Sequence, residues 1–338
     1  MAGEKARLAF VGLGRWGGAL AEAAARSGAV EILRGFARTA AARASFAEKF
    51  GARPAESLEE ILRDGDVEGV VIATPHATHL DLIRQAASAG KHVFVDKPLT
   101  LTVEDARRAI AAAEAAGAVL QVGHHRRRLG ATRRIREMIV RGELGQVHQL
   151  EAHVFNANRQ EPAAGWQNDP AQWPAGGMTG RGVHMVDNFH YLAGPVKRVF
   201  AFSKKLLGAT RLDDVTTIGL EFESGPLGYI GVSQVIPLSI TTAVFGTEAS
   251  AWSEADGARL HFQRKGEKAR SEILVEAGDP LAEQLAEFAR CIREVDVGGG
   301  DVGPETGGAE GLEVVAVLQA VIESARRGEA VEVSEFRG

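Results

Sequence analysis

The sequence predicts an α/β protein: an N-terminal, doubly wound parallel sheet, then an α/β domain with a large, mostly antiparallel open sheet. Two observations predict it. Up to residue 122, short apolar runs alternate with alanine-rich stretches of helical spacing, which is typical of a parallel sheet covered by helices. Beyond residue 122, strand-like runs follow one another with little helix between them, which indicates antiparallel pairing. We therefore expect two domains, residues 1–122 and 123–338.

The strands expected in the first domain are apolar runs that stop at glycine, proline or polar residues. They cover residues 8–11, 31–37, 69–73, 92–95 and 119–122. Ligands on such sheets bind outside the carboxyl ends of the strands. The residues that directly follow these five runs are therefore the first candidates for a functional site.

The second domain begins with a basic helix and continues into successive strands. The helix is expected at 130–141, the strands at 147–155, 196–204, 216–222, 228–234, 239–245, 249–252, 259–263 and 272–275, and two closing helices at 281–294 and 311–327. Between the closing helices, residues 295–309 are rich in glycine, which indicates a mobile loop.

Composition narrows the class of protein. The chain has 338 residues, 45% hydrophobic, and a formal net charge of -5, which argues against a nucleic-acid partner. No signal peptide is recognisable and no apolar run has transmembrane length, so we expect no membrane association and a cytoplasmic location. The single cysteine, Cys291, lies among apolar residues at helical spacing, so we expect it to be a packed side chain that is not reactive.

A glycine-rich turn joins the first strand to the first helix. It consists of Gly12, Leu13, Gly14, Arg15, Trp16 and Gly17. In this pattern the first glycine permits the tight turn, the second allows close approach of a pyrophosphate, and the third lets helix and strand pack closely. The helix N-terminus then faces the negative charge. We predict a dinucleotide-binding Rossmann domain; a purely structural glycine turn is the alternative.

The end of the second strand bears on which dinucleotide binds. Sites that prefer NAD usually carry an acid there to hold the ribose hydroxyls. Here the stretch is Ala37-Arg38-Thr39, and Glu31 lies at the other end of the strand. Arg38 could pair with a 2′-phosphate while Thr39 adds a hydroxyl, so we expect NADP(H) more than NAD(H). The alternative is that Arg38 only covers the adenine ring.

Beyond the glycine turn, the chain resembles the glucose-fructose oxidoreductase / inositol dehydrogenase family. The similar segments are 73–79 with 89–98, 121–127, 176–187 and the closing stretch 279–326, so the resemblance covers nearly the whole chain. It implies a C-terminal sheet that often makes the oligomer contact, hence a homo-oligomer, either dimer or tetramer. It also implies hydride transfer between a nicotinamide and a hydroxyl-bearing carbon of a small polar substrate, without a metal.

The resemblance, together with the strand ends, assigns further cofactor contacts. These are Thr74, Pro75, His79, Asp96, Lys97 and His125. Asp96 stands where the family has glutamate. Its side chain is one methylene shorter, so it reaches less far toward the cofactor.

Alcohol oxidation needs a base within hydrogen-bond reach of the reacting hydroxyl. Lys97 follows a strand at the carboxyl edge of the sheet, and by resemblance it orients the substrate hydroxyl and joins the proton relay. His184 is the corresponding acid/base candidate, and its ordinary pKa suits proton transfer near neutral pH. Asp187, three residues further on, shares a helix face with His184 if the segment is helical. The alternatives are a surface lysine and a packing histidine.

The chain departs from the family pattern at Gly180. The family has an aspartate four residues before the histidine, whereas this sequence has Gly180 followed by Arg181. Arg181 could bind an acidic group of the substrate, and Arg127 and Trp166 are further candidates for substrate contact. Structural ion pairs are the competing interpretation of the arginines at 126–128 and 133–136, and a core position is the competing one for Trp166.

These features favour an NADP(H)-dependent oxidoreductase acting on a hydroxyl or carbonyl carbon of a sugar, cyclitol or sugar acid. Two alternatives use the same scaffold: a non-catalytic, dinucleotide-sensing regulatory protein, and a glycosidase assisted by NAD. The retention of both Lys97 and His184 favours the enzyme over the regulatory protein.

Overall fold

The computed structural model describes residues 4–156, 165–207, 211–296 and 303–337. The chain forms two compact units, each made of two stretches of sequence. The first unit comprises Met1–His125 and Asp279–Leu312, and the second Arg126–Gly278 and Glu313–Gly338. A single division after residue 122 therefore does not describe the chain, because a later segment returns to the first unit.

The first unit holds a parallel sheet, as predicted. Within the described residues it has six strands in the order β3-β2-β1-β4-β5-β6. Their bounds are β1 Ala6–Val11, β2 Val30–Phe36, β3 Arg53–Pro54, β4 Gly69–Ile72, β5 His92–Val95 and β6 Leu120–Val122. Strand β3 was not expected from the sequence, because two exposed residues give no apolar signal.

Helices connect these strands. They are α1 Arg15–Ser27, α2 Ala40–Phe50, α3 Leu58–Arg63, α4 His79–Ser88, α5 Val103–Ala115 and, from the returning segment, α8 Pro280–Asp296. Two begin at side-chain caps: Ser57 accepts a hydrogen bond from the Glu60 N–H, and Thr102 accepts one from the Asp105 N–H. Helix α1 ends at Gly28 with φ of 69°, a left-handed conformation that glycine adopts without strain.

Helix α8 joins the first unit through its apolar face. Leu285, Phe288, Cys291 and Ile292 are fully buried in the same core cluster as the apolar residues of β1 and α1. The ring of Phe288 lies 5.9 Å from that of Phe94 on β5. Cys291 is thus a packed side chain, as predicted. Burial of this face explains why residues 279–312 belong to the first unit.

The second unit is built on a mostly antiparallel sheet, as predicted. In the described part of the chain it has nine strands in the order β14-β13-β12-β11-β7-β10-β9-β8-β15. They are β7 Val147–Phe155, β8 Val196–Lys204, β9 Val215–Phe222, β10 Leu227–Ser233, β11 Ser239–Gly246, β12 Ala249–Glu254, β13 Arg259–Arg264, β14 Ser271–Ile273 and β15 Val331–Glu332. Only β10 and β7 pair in parallel among these strands as described. The two-residue strand β15 was not anticipated.

The two faces of this sheet differ in burial because side chains alternate along each strand. One face buries residues such as Leu150, Ile218 and Ile230.

The remaining α-helices of the described residues are α6 Gly130–Val140, α7 Val183–Ala193, α9 Gly308–Arg327 and α10 Ser334–Arg337. Residues 297–302 of the glycine-rich loop expected at 295–309 lie outside the described residues. None of the described helices is long and apolar enough to cross a membrane.

Candidate active site

The glycine turn lies between β1 and α1 in a conformation that only glycine fits at two of its three positions. Gly12 has φ of 95°, and a Cβ there would lie 2.4 Å from the carbonyl oxygen of Ala73. A Cβ on Gly17 would lie 1.9 Å from the carbonyl oxygen of Gly12. Real Cβ contacts of this length do not occur, so the first and third glycines are required by the packing of strand against helix.

The second glycine has a different reason to be glycine. A Cβ on Gly14 would meet no protein atom within 4 Å. Gly14 is the N-cap of α1, no side chain caps this helix end, and its first turn carries no acid. The backbone N–H groups are thus left for another partner, with the positive end of the helix dipole behind them. The turn fits a dinucleotide pyrophosphate.

The residues that directly follow β2 are Ala37, Arg38 and Thr39, which include a cation and a hydroxyl and no acid. Arg38 and Thr39 are both exposed. The guanidinium of Arg38 forms no hydrogen bond or ion pair within the described residues, and the Thr39 hydroxyl does not cap α2. Behind them, Arg43 donates a 2.9 Å hydrogen bond to the carbonyl oxygen of Ala37, which holds the strand end in place.

A buried histidine links the turn after β4 to the turn after β5. The Nε2 atom of His79 lies 3.1 Å from the carbonyl oxygen of Thr74, and its Nδ1 atom lies 3.0 Å from that of Pro98. The Lys97–Pro98 bond is cis. Burial lowers the pKa of the His79 imidazole. Because the residue is fully buried, it orders the two turns and presents no side-chain surface to a ligand.

Asp96 and Lys97 follow β5 at the carboxyl edge of the sheet. Lys97 is buried, with 8% of its surface exposed. Asp96 is half-buried as a residue, but its Oδ1 atom is shielded from solvent. Burial raises the pKa of the Asp96 carboxyl, against the opposing charges of Lys97 and His79. A carboxyl and an amine that are both shielded from solvent therefore occupy adjacent positions at the edge where ligands of such sheets bind.

Trp16 and His125 come together although they are far apart in sequence. Their ring centroids lie 5.9 Å apart, with the planes tilted by 41°. Trp16 belongs to the first turn of α1, and His125 follows β6. Of the predicted cofactor residues, Thr74 adds a 2.7 Å hydroxyl contact with Thr78. The predicted cofactor residues outside the glycine turn thus follow the ends of β2, β4, β5 and β6.

In the second unit, a π-helical turn at Met178–Gly182 runs into α7. His184 lies in the first turn of α7 and is 6% exposed. Asp187 is fully buried, and its two carboxylate oxygens each lie 2.9 Å from Nε of Arg127. The segment is helical, so Asp187 shares a face with His184 as expected, but its charge is balanced by Arg127.

Several arginines of the basic run make structural contacts, either ion pairs or contacts with Tyr191. Arg126 pairs with Asp256, and Arg134 pairs with Glu143 at 3.1 Å. Arg133 donates a 2.7 Å hydrogen bond to the Tyr191 hydroxyl, and its guanidinium lies 5.3 Å from that ring. Among the described residues, no three His, Cys, Asp or Glu side chains converge as a metal-binding group would require.

The position of Gly180 is filled by an indole that was not anticipated. A Cβ on Gly180 would lie 2.2 Å from Cζ2 of Trp173. Trp173 in turn packs against Trp166, with ring centroids 5.1 Å apart. Arg181 is half-buried on the same π-helical turn. No local pattern in the sequence signals Trp173, because its contact with Gly180 arises from tertiary packing.

Comparison with known proteins agrees with this geometry. Residues 6–124 match the model of an oxidoreductase family with an NAD-binding Rossmann fold, and residues 132–252 match the GFO/IDH/MocA C-terminal domain. The rhizopine catabolism protein MocA of Rhizobium meliloti is 32% identical over 85% of this chain and 86% of its own length. The 1,5-anhydro-D-fructose reductase of Ensifer adhaerens is 28% identical over 82% of this chain and 83% of its own.

A solved structure extends the likeness to the whole chain. It is a candidate NADPH-dependent oxidoreductase from Desulfitobacterium hafniense DCB-2, with a TM-score of 0.92, 30% identity, and coverage of 99% of this chain and 100% of that one. The glycine turn, the two-sheet architecture and the full-length relatives agree on one assignment. The chain belongs to the GFO/IDH/MocA family of NAD(P)-dependent oxidoreductases.

Proposed function

We propose that the protein transfers a hydride between NADP(H), preferred over NAD(H), and a hydroxyl or carbonyl carbon of a sugar, cyclitol or sugar acid. The observation that carries the cofactor preference is Arg38. Its exposed guanidinium follows β2 without an ion pair among the described residues, at a place where an NAD site usually has an acid. The Desulfitobacterium structure, named for NADPH, supports the same preference.

The substrate class rests on the relatives. One is named for reducing 1,5-anhydro-D-fructose and another for rhizopine catabolism. The bound nicotinamide would supply the hydride chemistry. Lys97, buried after β5, would orient the reacting hydroxyl, and His184 would accept or return its proton. Because the carboxylate of Asp187 is held by Arg127, we assign Asp187 the role of anchoring that arginine and not of accepting a proton.

The cofactor preference is tested by measuring Kd for NADPH and NADH. We expect Arg38→Ala to weaken NADPH binding about tenfold or more, because a charge-assisted contact to the 2′-phosphate is lost, and to leave NADH binding unchanged. Arg84→Ala is the matched control, since Arg84 is also exposed and lies on α4. Tighter binding of NADH than of NADPH by the native chain would refute the preference.

The chemistry is tested by following NADP⁺ reduction at 340 nm with a panel of sugars and cyclitols. Net formation of NADPH is expected, whereas a cofactor-assisted glycosidase would return its cofactor within each turnover. Lys97→Met is expected to lower kcat about a hundredfold or more while NADPH still binds. Full turnover by Lys97→Met would rule out the assigned role.

We also propose that the protein assembles as a homo-oligomer through the second face of its nine-stranded sheet. Phe202 and Leu227 are each 60% exposed there. Exposed apolar side chains on a broad sheet face are typical of an association surface.

A further inference from the structure

Residue 180 is glycine because an indole occupies the volume of its side chain. A Cβ at this position would lie 2.2 Å from Cζ2 and 3.1 Å from Cε2 of Trp173. The indole is anchored, since its Nε1–H donates to the carbonyl oxygen of Gly176, and Trp173 is only 7% exposed. An aromatic ring held in this way cannot yield to a larger residue at 180 without repacking.

Gly180, which the indole covers, lies on the same helix face as His184. Gly180 and His184 are four residues apart along the continuous helical stretch from Met178 to Ala193, so the two positions face the same side. A side chain on residue 180 would project beside the imidazole, and the Trp173 ring stands in its place. Asp187, the acid on this face, is bound by Arg127.

Trp173 also supports the half-buried Trp166. The two ring centroids lie 5.1 Å apart at an interplanar angle of 55°. Trp173 therefore packs over Gly180 on one side and against Trp166 on the other. Of the two indoles, Trp166 is the one that retains exposed surface.

We propose that Trp173 is a positioning residue: it excludes any side chain at 180 from His184 and holds Trp166 as a wall that favours ring-shaped over open-chain polyols. The part of this inference that concerns substrate choice rests on the proposed function. The part that concerns packing depends only on the geometry of residues 173 and 180. An aromatic wall suits the apolar face of a pyranose or cyclitol ring better than a flexible chain, which loses more conformational freedom on binding.

The packing side is tested by a double-mutant cycle on melting temperature. We expect Gly180→Ala to lower Tm by about 5 °C, because the added methyl meets the indole. In the Trp173→Ala background the same change should leave Tm unchanged or raise it, since alanine favours helical backbone over glycine. Trp173→Leu, which also lacks Cζ2, repeats the comparison in a second background. An equal effect of Gly180→Ala in all backgrounds would overturn the proposal.

The substrate side is tested by steady-state kinetics with myo-inositol and glucose as ring polyols and sorbitol as the open-chain polyol. Trp173→Ala is expected to raise KM about threefold to tenfold for the ring polyols, with a smaller effect on kcat and none on NADPH affinity. Phe262→Ala is the control, because Phe262 lies on β13 and is 7% exposed, as Trp173 is.

The outcomes separate this inference from the proposed function. Equal KM values for Trp173→Ala and Phe262→Ala, or turnover confined to sorbitol, would overturn the role of Trp173 while the oxidoreductase function stands. Absence of turnover with every polyol, despite normal NADPH binding, would count against the proposed substrate class. In that case the Tm cycle still decides whether Trp173 dictates the residue at 180.

Discussion

At the scale of single residues, the Asp96 carboxyl after β5 carries a cost to stability. Its Oδ1 atom is shielded from solvent, and burial raises the pKa of its carboxyl although Lys97 and His79 favour the charged form. The folded state therefore binds a proton more tightly than the unfolded chain does. Between the ordinary pKa of an aspartate and the raised value, the free energy of unfolding falls as pH rises.

We expect Asp96→Asn to raise Tm at pH 7 to 8 because it removes this cost. The gain should shrink as the pH is lowered toward the ordinary aspartate pKa of about 4, because protonation of the native carboxyl relieves the cost of burying its charge. Melting curves across this range measure the effect, and Asp81→Asn on the exposed surface of α4 is the control. A gain that did not vary with pH would contradict the assignment.

At the scale of elements, helix α8 is tied to the first unit by charge as well as by apolar packing. Arg293 on α8 donates hydrogen bonds to both carboxylate oxygens of Glu68, at 2.7 and 2.6 Å. Arg7 on β1 donates two more, from its backbone N–H at 2.7 Å and from its guanidinium at 3.3 Å. Burial by itself would raise the pKa of Glu68. The Arg293 and Arg7 hydrogen bonds outweigh it and lower the pKa to about 2.

Glu68→Gln is expected to lower the free energy of unfolding at neutral pH by at most about 3 kcal/mol, since the pKa falls from 4.5 to about 2 on folding. For a depressed pKa, this stability is present above the unfolded value and is lost as pH falls from about 4.5 toward 2. Urea denaturation at pH 7 and at about pH 2.5 measures it, with Glu114→Gln on the exposed side of α5 as control. A deficit that persisted undiminished below pH 3 would count against the ion pair.

At the scale of the whole molecule, the nine-stranded sheet leaves one face partly exposed. On neighbouring strands this face carries Phe202, Tyr229, His153 and Trp252. Aromatic side chains bury much area for little loss of conformational freedom, which suits a self-complementary interface. The proposed homo-oligomer would cover this face.

Phe202→Glu is expected to shift the protein to smaller species in sedimentation velocity, because two-fold symmetry brings the new charges together in an apolar interface. Phe202 is 60% exposed, so the change should lower Tm little. Val140→Glu is the control, since Val140 is 70% exposed at the end of α6. Unchanged assembly of Phe202→Glu would place the contact elsewhere.

Residues whose role is local could be read from the sequence. The turn at Gly12 and Gly17, the parallel strands and the packed Cys291 follow from backbone conformation and apolar spacing, which are properties of short segments. Arg38 could be identified from the sequence as a candidate cofactor contact because it directly follows a predicted strand. Functional interpretation of such positions from sequence is therefore strongest at the ends of strands.

The sequence by itself determined the fold class, the dinucleotide turn and most of the longer strands, because alternation, periodicity and glycine placement act over a few residues. Only the tertiary structure decided that residues 279–312 return to the first unit, that Arg127 neutralises Asp187, and that Trp173 fills the space over Gly180. Each of these depends on side chains brought together by packing from distant or non-periodic positions. Such contacts leave no pattern in the residues that flank them.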